Sequence, residues 1–210
     1  MKKGDFVEIE YVGRLESGEI FDLTDADLAK KEKIYNENIK YGPVPVIVGA
    51  GLIVPGLDEA LEKMNVGDEE EIKVSPEKAF GQRNPDMVKV IPSSVFKEEP
   101  KPNMIVNFGG QLGRIQSVSA GRVRVDFNNP LAGKTLIYKI KVVKEIKDIK
   151  EKVEAILNYF RIKANIKIEG NEAIIEGKIQ DFMRTELGKL IIKYTDIKKI
   201  KFVEVFEGSQ

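Results

Sequence analysis

In "DFVEIEYVGRL", residues 5–15, apolar Phe6, Ile9 and Tyr11 alternate with charged neighbours, with Val7 opposite, and this spacing predicts a strand. A Gly-containing turn, "ESGE", follows at 16–19 and "IFD" starts a return strand, so residues 5–22 read as a hairpin. Residues 24–42 are polar and charged, with Thr24 or Asp25 placed to cap a short helix; the segment reads either as solvated surface or as a lid. In "VPVIVGAGLIVPGLDEALEKM", Val46, Ile47 and Val48 form a short buried strand that Gly49-Ala50-Gly51 interrupts. After Pro55-Gly56, Leu57, Ala60, Leu61 and Met64 recur at helical spacing and define one apolar face aimed at a sheet. "EEEIKVSPEKAFG" is then a strand running into a turn at Ser75-Pro76.

From Asn84-Pro85 to Asn129-Pro130 the pattern changes to short β-like pieces, "MVKVI", "MIVNF", "QLGRIQSVS" and "RVRVDF", with turns at Gly109-Gly110 and Ala120-Gly121. This predicts a small β-rich insert that begins and ends at nearly one place. "TLIYKIKVV", 135–143, alternates like a strand and resumes the first domain. From Asp148 onward, Ile149, Val153, Ile156, Leu157 and Phe160 share a helical stripe. A hairpin about Gly170-Asn171, a second helix at "DFMRTELGKLIIKY" and a last strand at "IKFVEVF" follow. The expected fold class is α+β, with domains at 1–84 plus 130–147, 85–129 and 148–210. A C-terminal unit this small is marginal alone and is expected to pack on the rest of the chain or on a copy of itself. Ile191, Ile192, Phe202, Val203, Val205 and Phe206 are the candidate dimer contact.

Composition narrows the chemistry. Lys+Arg and Asp+Glu are both 34, and this neutrality argues against a dedicated nucleic-acid binder. The absence of cysteine removes disulfides and thiol catalysis, and the absence of histidine removes the commonest metal ligand and general base. No metal site or cofactor is expected. With no signal-like N-terminus and no long apolar run, the expected location is cytoplasmic, away from membranes.

The blocks "YVGRLESGEIFD", "GAGLIVPGLDEAL", "VGDEEEIKVSPEKAFG" and "NPLAGKTLIYKIKVV" occur in this order, with a long insert before the last. Together they resemble the FKBP-type peptidyl-prolyl isomerases, specifically the SlyD-like branch with an insert-in-flap chaperone domain, over about residues 3–146. The resemblance implies a bent antiparallel sheet around one short helix, with an apolar prolyl pocket between them. It assigns the aromatic side of that pocket to Tyr11, Phe21 and Tyr138, and its edge to Asp22. It assigns the groove to Ile53 and Val54, the floor to Leu57, where many relatives carry tryptophan, and a wall to Val44. Phe80 stands where relatives often carry tyrosine, without that residue's hydroxyl. On spacing alone, Tyr11, Phe21, Leu57 and Tyr138 read as core, and Asp22 as a turn residue.

Rotation about an X-Pro bond needs no nucleophile, base or metal. The planar amide owes its barrier of ~18–20 kcal/mol to resonance, and twisting removes that resonance together with its charge separation. A dry apolar pocket therefore favours the twisted form, which is catalysis by differential binding. Met87, Val88, Ile91, Met104 and Ile105 in the insert, with Leu131 where the chain returns, are the candidate grip on substrate, either as a private core or as an adaptable client surface. The implied partners are unfolded or proline-containing polypeptides and macrocyclic FKBP inhibitors. A holdase using this scaffold without catalysis is the rival reading.

Overall fold

The computed structural model describes residues 1–205. In chain order the elements are β1 (Phe6–Leu15), β2 (Ile20–Leu23), α1 (Ala26–Lys31), β3 (Val44–Ile47), α2 (Pro55–Leu61) and β4 (Glu69–Val74). Strands β5 (Val88–Pro92), β6 (Ile105–Phe108), β7 (Gln111–Ser119), β8 (Arg122–Asp126) and β9 (Leu136–Ile146) come next. The last elements among the described residues are α3 (Ile149–Tyr159), β10 (Asn165–Glu169), β11 (Glu172–Glu176), α4 (Asp181–Tyr194) and β12 (Lys199–Val203). These elements form two compact units, one of residues 1–73 with 137 onward, the other of residues 74–136.

The first unit is built on a sheet of order β2-β1-β9-β4, with β3 also paired to β1. Strand β1 is long enough to serve two partners. Its first half pairs antiparallel with β3, Phe6 opposite Ile47 and Val7 opposite Val46, and its second half with β2, Val12 opposite Leu23. Val7 and Ile9 face a core with Val46, Val48, Leu61, Met64, Ile140 and Val142, against which Tyr11 also packs. The sequence pattern grouped Phe6 with Ile9 and set Val7 opposite; the structure instead turns Phe6 to the other face. Both Phe6 and Val7 are buried, because at this end the sheet is covered on both sides.

The second cover is the C-terminal segment. Helices α3 and α4 lie with a sheet of order β10-β11-β12, in which the Gly170-Asn171 hairpin joins β10 to β11 and β12 runs parallel to β11. Val153, Ile156, Leu157, Ala173, Ile175, Leu187 and Ile191 form one continuous core with Phe6, Ile47 and Ile146 of the first sheet. Burying a side chain of that size contributes about 1.5–3 kcal/mol. The shared side chains thus hold a segment too small to be stable alone. Ile191 is fully buried there and Phe202 half-buried, while Ile192, Val203 and Val205 stay exposed. Phe206 lies outside the described residues.

The second unit carries an antiparallel sheet of order β5-β8-β7-β6. Ile115, Val123 and Val125 are its buried centre, packed by Ile91, Phe96, Met104, Val106 and Phe127. This compact unit runs wider than the 85–129 read from the sequence. The narrower span is nonetheless marked by a latch. The Asn128 side chain accepts from Asn84 N–H at 2.8 Å and donates to the Asn84 carbonyl at 3.0 Å. It also donates to Asp126 at 2.8 Å, and Asp126 in turn pairs with Arg83 and accepts from Gln116 at 3.0 Å.

Candidate active site

Strands β1, β2 and β9 bring three aromatic rings together. Phe21 and Tyr138 meet edge to face with centroids 5.5 Å apart and planes at 88°, and Tyr11 meets Tyr138 at 6.1 Å and 63°. Such geometry suits the ring quadrupoles. The register places Gly13 opposite Asp22, with a bulge between Gly13 and Arg14. A Cβ on Gly13 would lie 2.7 Å from Phe21 Cζ and 3.1 Å from Tyr138 Cε1, so both rings occupy space that only glycine leaves open. Gly13 is a site residue that the sequence pattern does not reveal, because it sits in an ordinary strand alternation.

Polar groups steady the cluster. The Tyr11 hydroxyl donates to Asp22 Oδ2 at 2.8 Å, and the buried Thr24 hydroxyl accepts from Tyr11 N–H at 2.9 Å and donates to the Tyr11 carbonyl at 3.2 Å. Asp25, not Thr24, caps α1, accepting from Asp27 and Leu28 N–H. Burial, and then the nearby Asp22 charge, pushes Tyr138 up to about 12. The same causes hold Tyr11 well above the usual tyrosine range, with its hydrogen bond to Asp22 adding to them. Both hydroxyls are therefore neutral donors at ordinary pH, unsuited to act as bases.

Leu57, in the first turn of α2, is buried, and Val44, Ile53 and Val54 are half-buried. Val44, Ile53 and Tyr11 pack against the same core cluster. The loop from Gly49 to Val54 that carries Ile53 is held by Asp58, a buried carboxylate on α2 that accepts from Gly49 N–H at 2.9 Å and Gly51 N–H at 2.8 Å. From α3, the Tyr159 hydroxyl donates to the Leu52 carbonyl at 2.6 Å. Asp58 lies within a sequence block already singled out, whereas Tyr159 is distant in the chain and carries no local signal.

The remaining assigned residues lie in the other unit. Phe80 follows a short 3₁₀ turn at Pro76–Lys78 and is 38% exposed. Ile91 and Met104 pack against the insert's core, Met87, Val88 and Leu131 are half-buried, and Ile105 is 55% exposed. In the β6–β7 register Ile105 pairs with Arg114 and Asn107 with Leu112, so one strand face presents Ile105 and Leu112 together, the latter 63% exposed. Leu112 was not singled out by the sequence pattern; its partner strand decides its face.

The profile described as "FKBP-type peptidyl-prolyl cis-trans isomerase" matches residues 1–143. The chain is similar to the "Short-type peptidyl-prolyl cis-trans isomerase" of Methanocaldococcus jannaschii, 36% identical over 145 residues, which is 68% of this chain and 92% of that protein. It is also similar to the "Probable FKBP-type 16 kDa peptidyl-prolyl cis-trans isomerase" of Pseudomonas fluorescens, 31% identical over 65% of this chain and 86% of that one. A third relative is the "FKBP-type peptidyl-prolyl cis-trans isomerase SlyD" of Helicobacter pylori, 33% identical over 52% of this chain and 63% of that one.

Proposed function

The chain belongs to the FKBP-type peptidyl-prolyl cis-trans isomerases, in their SlyD-like branch, and from that premise we propose that it works as a chaperone-isomerase on unfolded or nascent polypeptides. The observation that carries the catalytic part is the Tyr11–Phe21–Tyr138 cluster, apolar in character and closed by un-ionised hydroxyls. Such a lining favours the less polar, twisted amide without any proton transfer. Leu57 and the half-buried Val44, Ile53 and Val54 complete the substrate groove in this reading, and macrocyclic FKBP inhibitors would compete there.

Exposed Val90, Ile105 and Leu112 in so small a sheet, with exposed Val95 in the turn after β5, support a client-holding role for the insert. Because the insert is part of the same chain as the isomerase domain, a client held on it is kept at a raised effective concentration there.

The test is refolding of a protein limited by a native cis-proline, an uncatalysed phase of about 10–100 s. Intact chain should accelerate it. A version with residues 85–129 replaced by a short loop should keep activity on a prolyl tetrapeptide yet lose most of the acceleration, and Phe21→Ala should lose both. If the intact chain only delays aggregation, and Phe21→Ala behaves identically, the protein is a non-catalytic holdase.

A further inference from the structure

We infer that Tyr159 is a positioning residue for the isomerase, its hydroxyl holding the backbone segment that presents Ile53 and Val54 to substrate. The inference rests on the reading that these two residues line the groove.

The segment has little of its own to hold it. Gly49 and Gly51 both adopt positive φ, at 70° and 71°, and neither helix nor strand includes residues 48–54. Asp58 ties down the Gly49 and Gly51 amides on one side. On the other, Ala50 and Leu52 pack against the core shared with the C-terminal segment, and the Tyr159 hydroxyl donates to the Leu52 carbonyl at 2.6 Å. That carbonyl belongs to the peptide whose nitrogen is Ile53's, so fixing it fixes the plane from which Ile53 departs. The donor is itself set: the Tyr159 ring stands edge-on to Phe160, centroids 5.1 Å apart, and Phe160 packs on the same core. The family profile ends at residue 143, before α3 begins, so this contact is supplied by a part of the chain outside the matched isomerase region.

A loop released from this bond spends part of its time in arrangements unable to bind. Apparent affinity then falls by the competent fraction, while the bound complex turns over as before. Tyr159→Phe in the full chain keeps the ring and removes only the hydroxyl. A hydrogen bond of ordinary net strength corresponds to about a two- to tenfold effect. KM for a prolyl tetrapeptide should rise by that factor with kcat nearly unchanged, and Gly51 amide exchange should quicken comparably. Ile53→Ala is the companion variant and should raise KM by itself. Unchanged KM in Tyr159→Phe, with Ile53→Ala impaired, overturns the inference. Unchanged KM in Ile53→Ala refutes the groove assignment instead, and the Gly51 exchange rate then still decides whether the clamp exists.

Discussion

Gly13→Ala adds one methyl group at the point where three strands place their aromatic side chains. The new Cβ would stand 2.7 Å from Phe21 Cζ, 2.9 Å from Phe21 Cε2 and 3.1 Å from Tyr138 Cε1. Carbon atoms rest at about 3.5 Å or more, so Phe21 must retreat by roughly 0.8 Å or tilt away. The Gly13 backbone is not in the left-handed region, so the clash alone carries the effect. Overpacking of this kind costs about 1–3 kcal/mol of stability. Activity should suffer more, because a misplacement of about 1 Å at a reacting centre can cost on the order of 100-fold. The assay is kcat/KM on a prolyl tetrapeptide beside thermal unfolding of the same preparations. Adding Phe21→Leu, which removes the ring carbons that clash, should return most of the stability without returning the activity. A Gly13→Ala protein with wild-type kcat/KM and an unchanged unfolding midpoint would refute the account of how this pocket is packed.

Two further outcomes follow from the same geometry. Burial raises the folded-state pKa of Tyr138 from 10.0 to about 12, so between those values the folded state retains a proton that the unfolded state has lost. Its stabilising contribution is therefore complete below about pH 10 and disappears as pH rises toward 12, which denaturant titrations across that window should register as falling stability. Asp58→Ala leaves the Gly49 and Gly51 amides without their acceptor; it should cost roughly 2–4 kcal/mol and speed exchange at both amides, as urea unfolding and amide exchange would record.

Where residues close in sequence make the structure, the pattern was legible. The hairpin of β1 and β2, the apolar face of α2 with buried Leu57 and Leu61, and the strands of the insert all follow from local periodicity and turn residues; Met64 is buried too, but beyond the end of the helix. The ordered family blocks placed Tyr11, Phe21, Asp22 and Tyr138, which the structure joins by ring contacts and the Tyr11–Asp22 hydrogen bond. What escaped depends on distant partners. Phe6 and Val7 are both buried, so alternation could not assign their faces until the second cover was known. Gly13 matters because of rings on two other strands, and Tyr159 because of a carbonyl 107 residues away.

The core that joins Phe6 and Ile47 to Leu187 and Ile191 also sets a timetable for synthesis. A chain emerging from its N-terminus makes β1 long before α3 and α4, whose residues cover Phe6. Contacts of such sequence separation form slowly, and until they form the apolar face of β1 is open to aggregation. The insert, whose latch joins Arg83 and Asn84 to Asp126 and Asn128, is complete long before. The part with exposed apolar strands thus matures ahead of the catalytic unit, and the Gly49–Val54 loop receives its Tyr159 anchor only after the insert has been made.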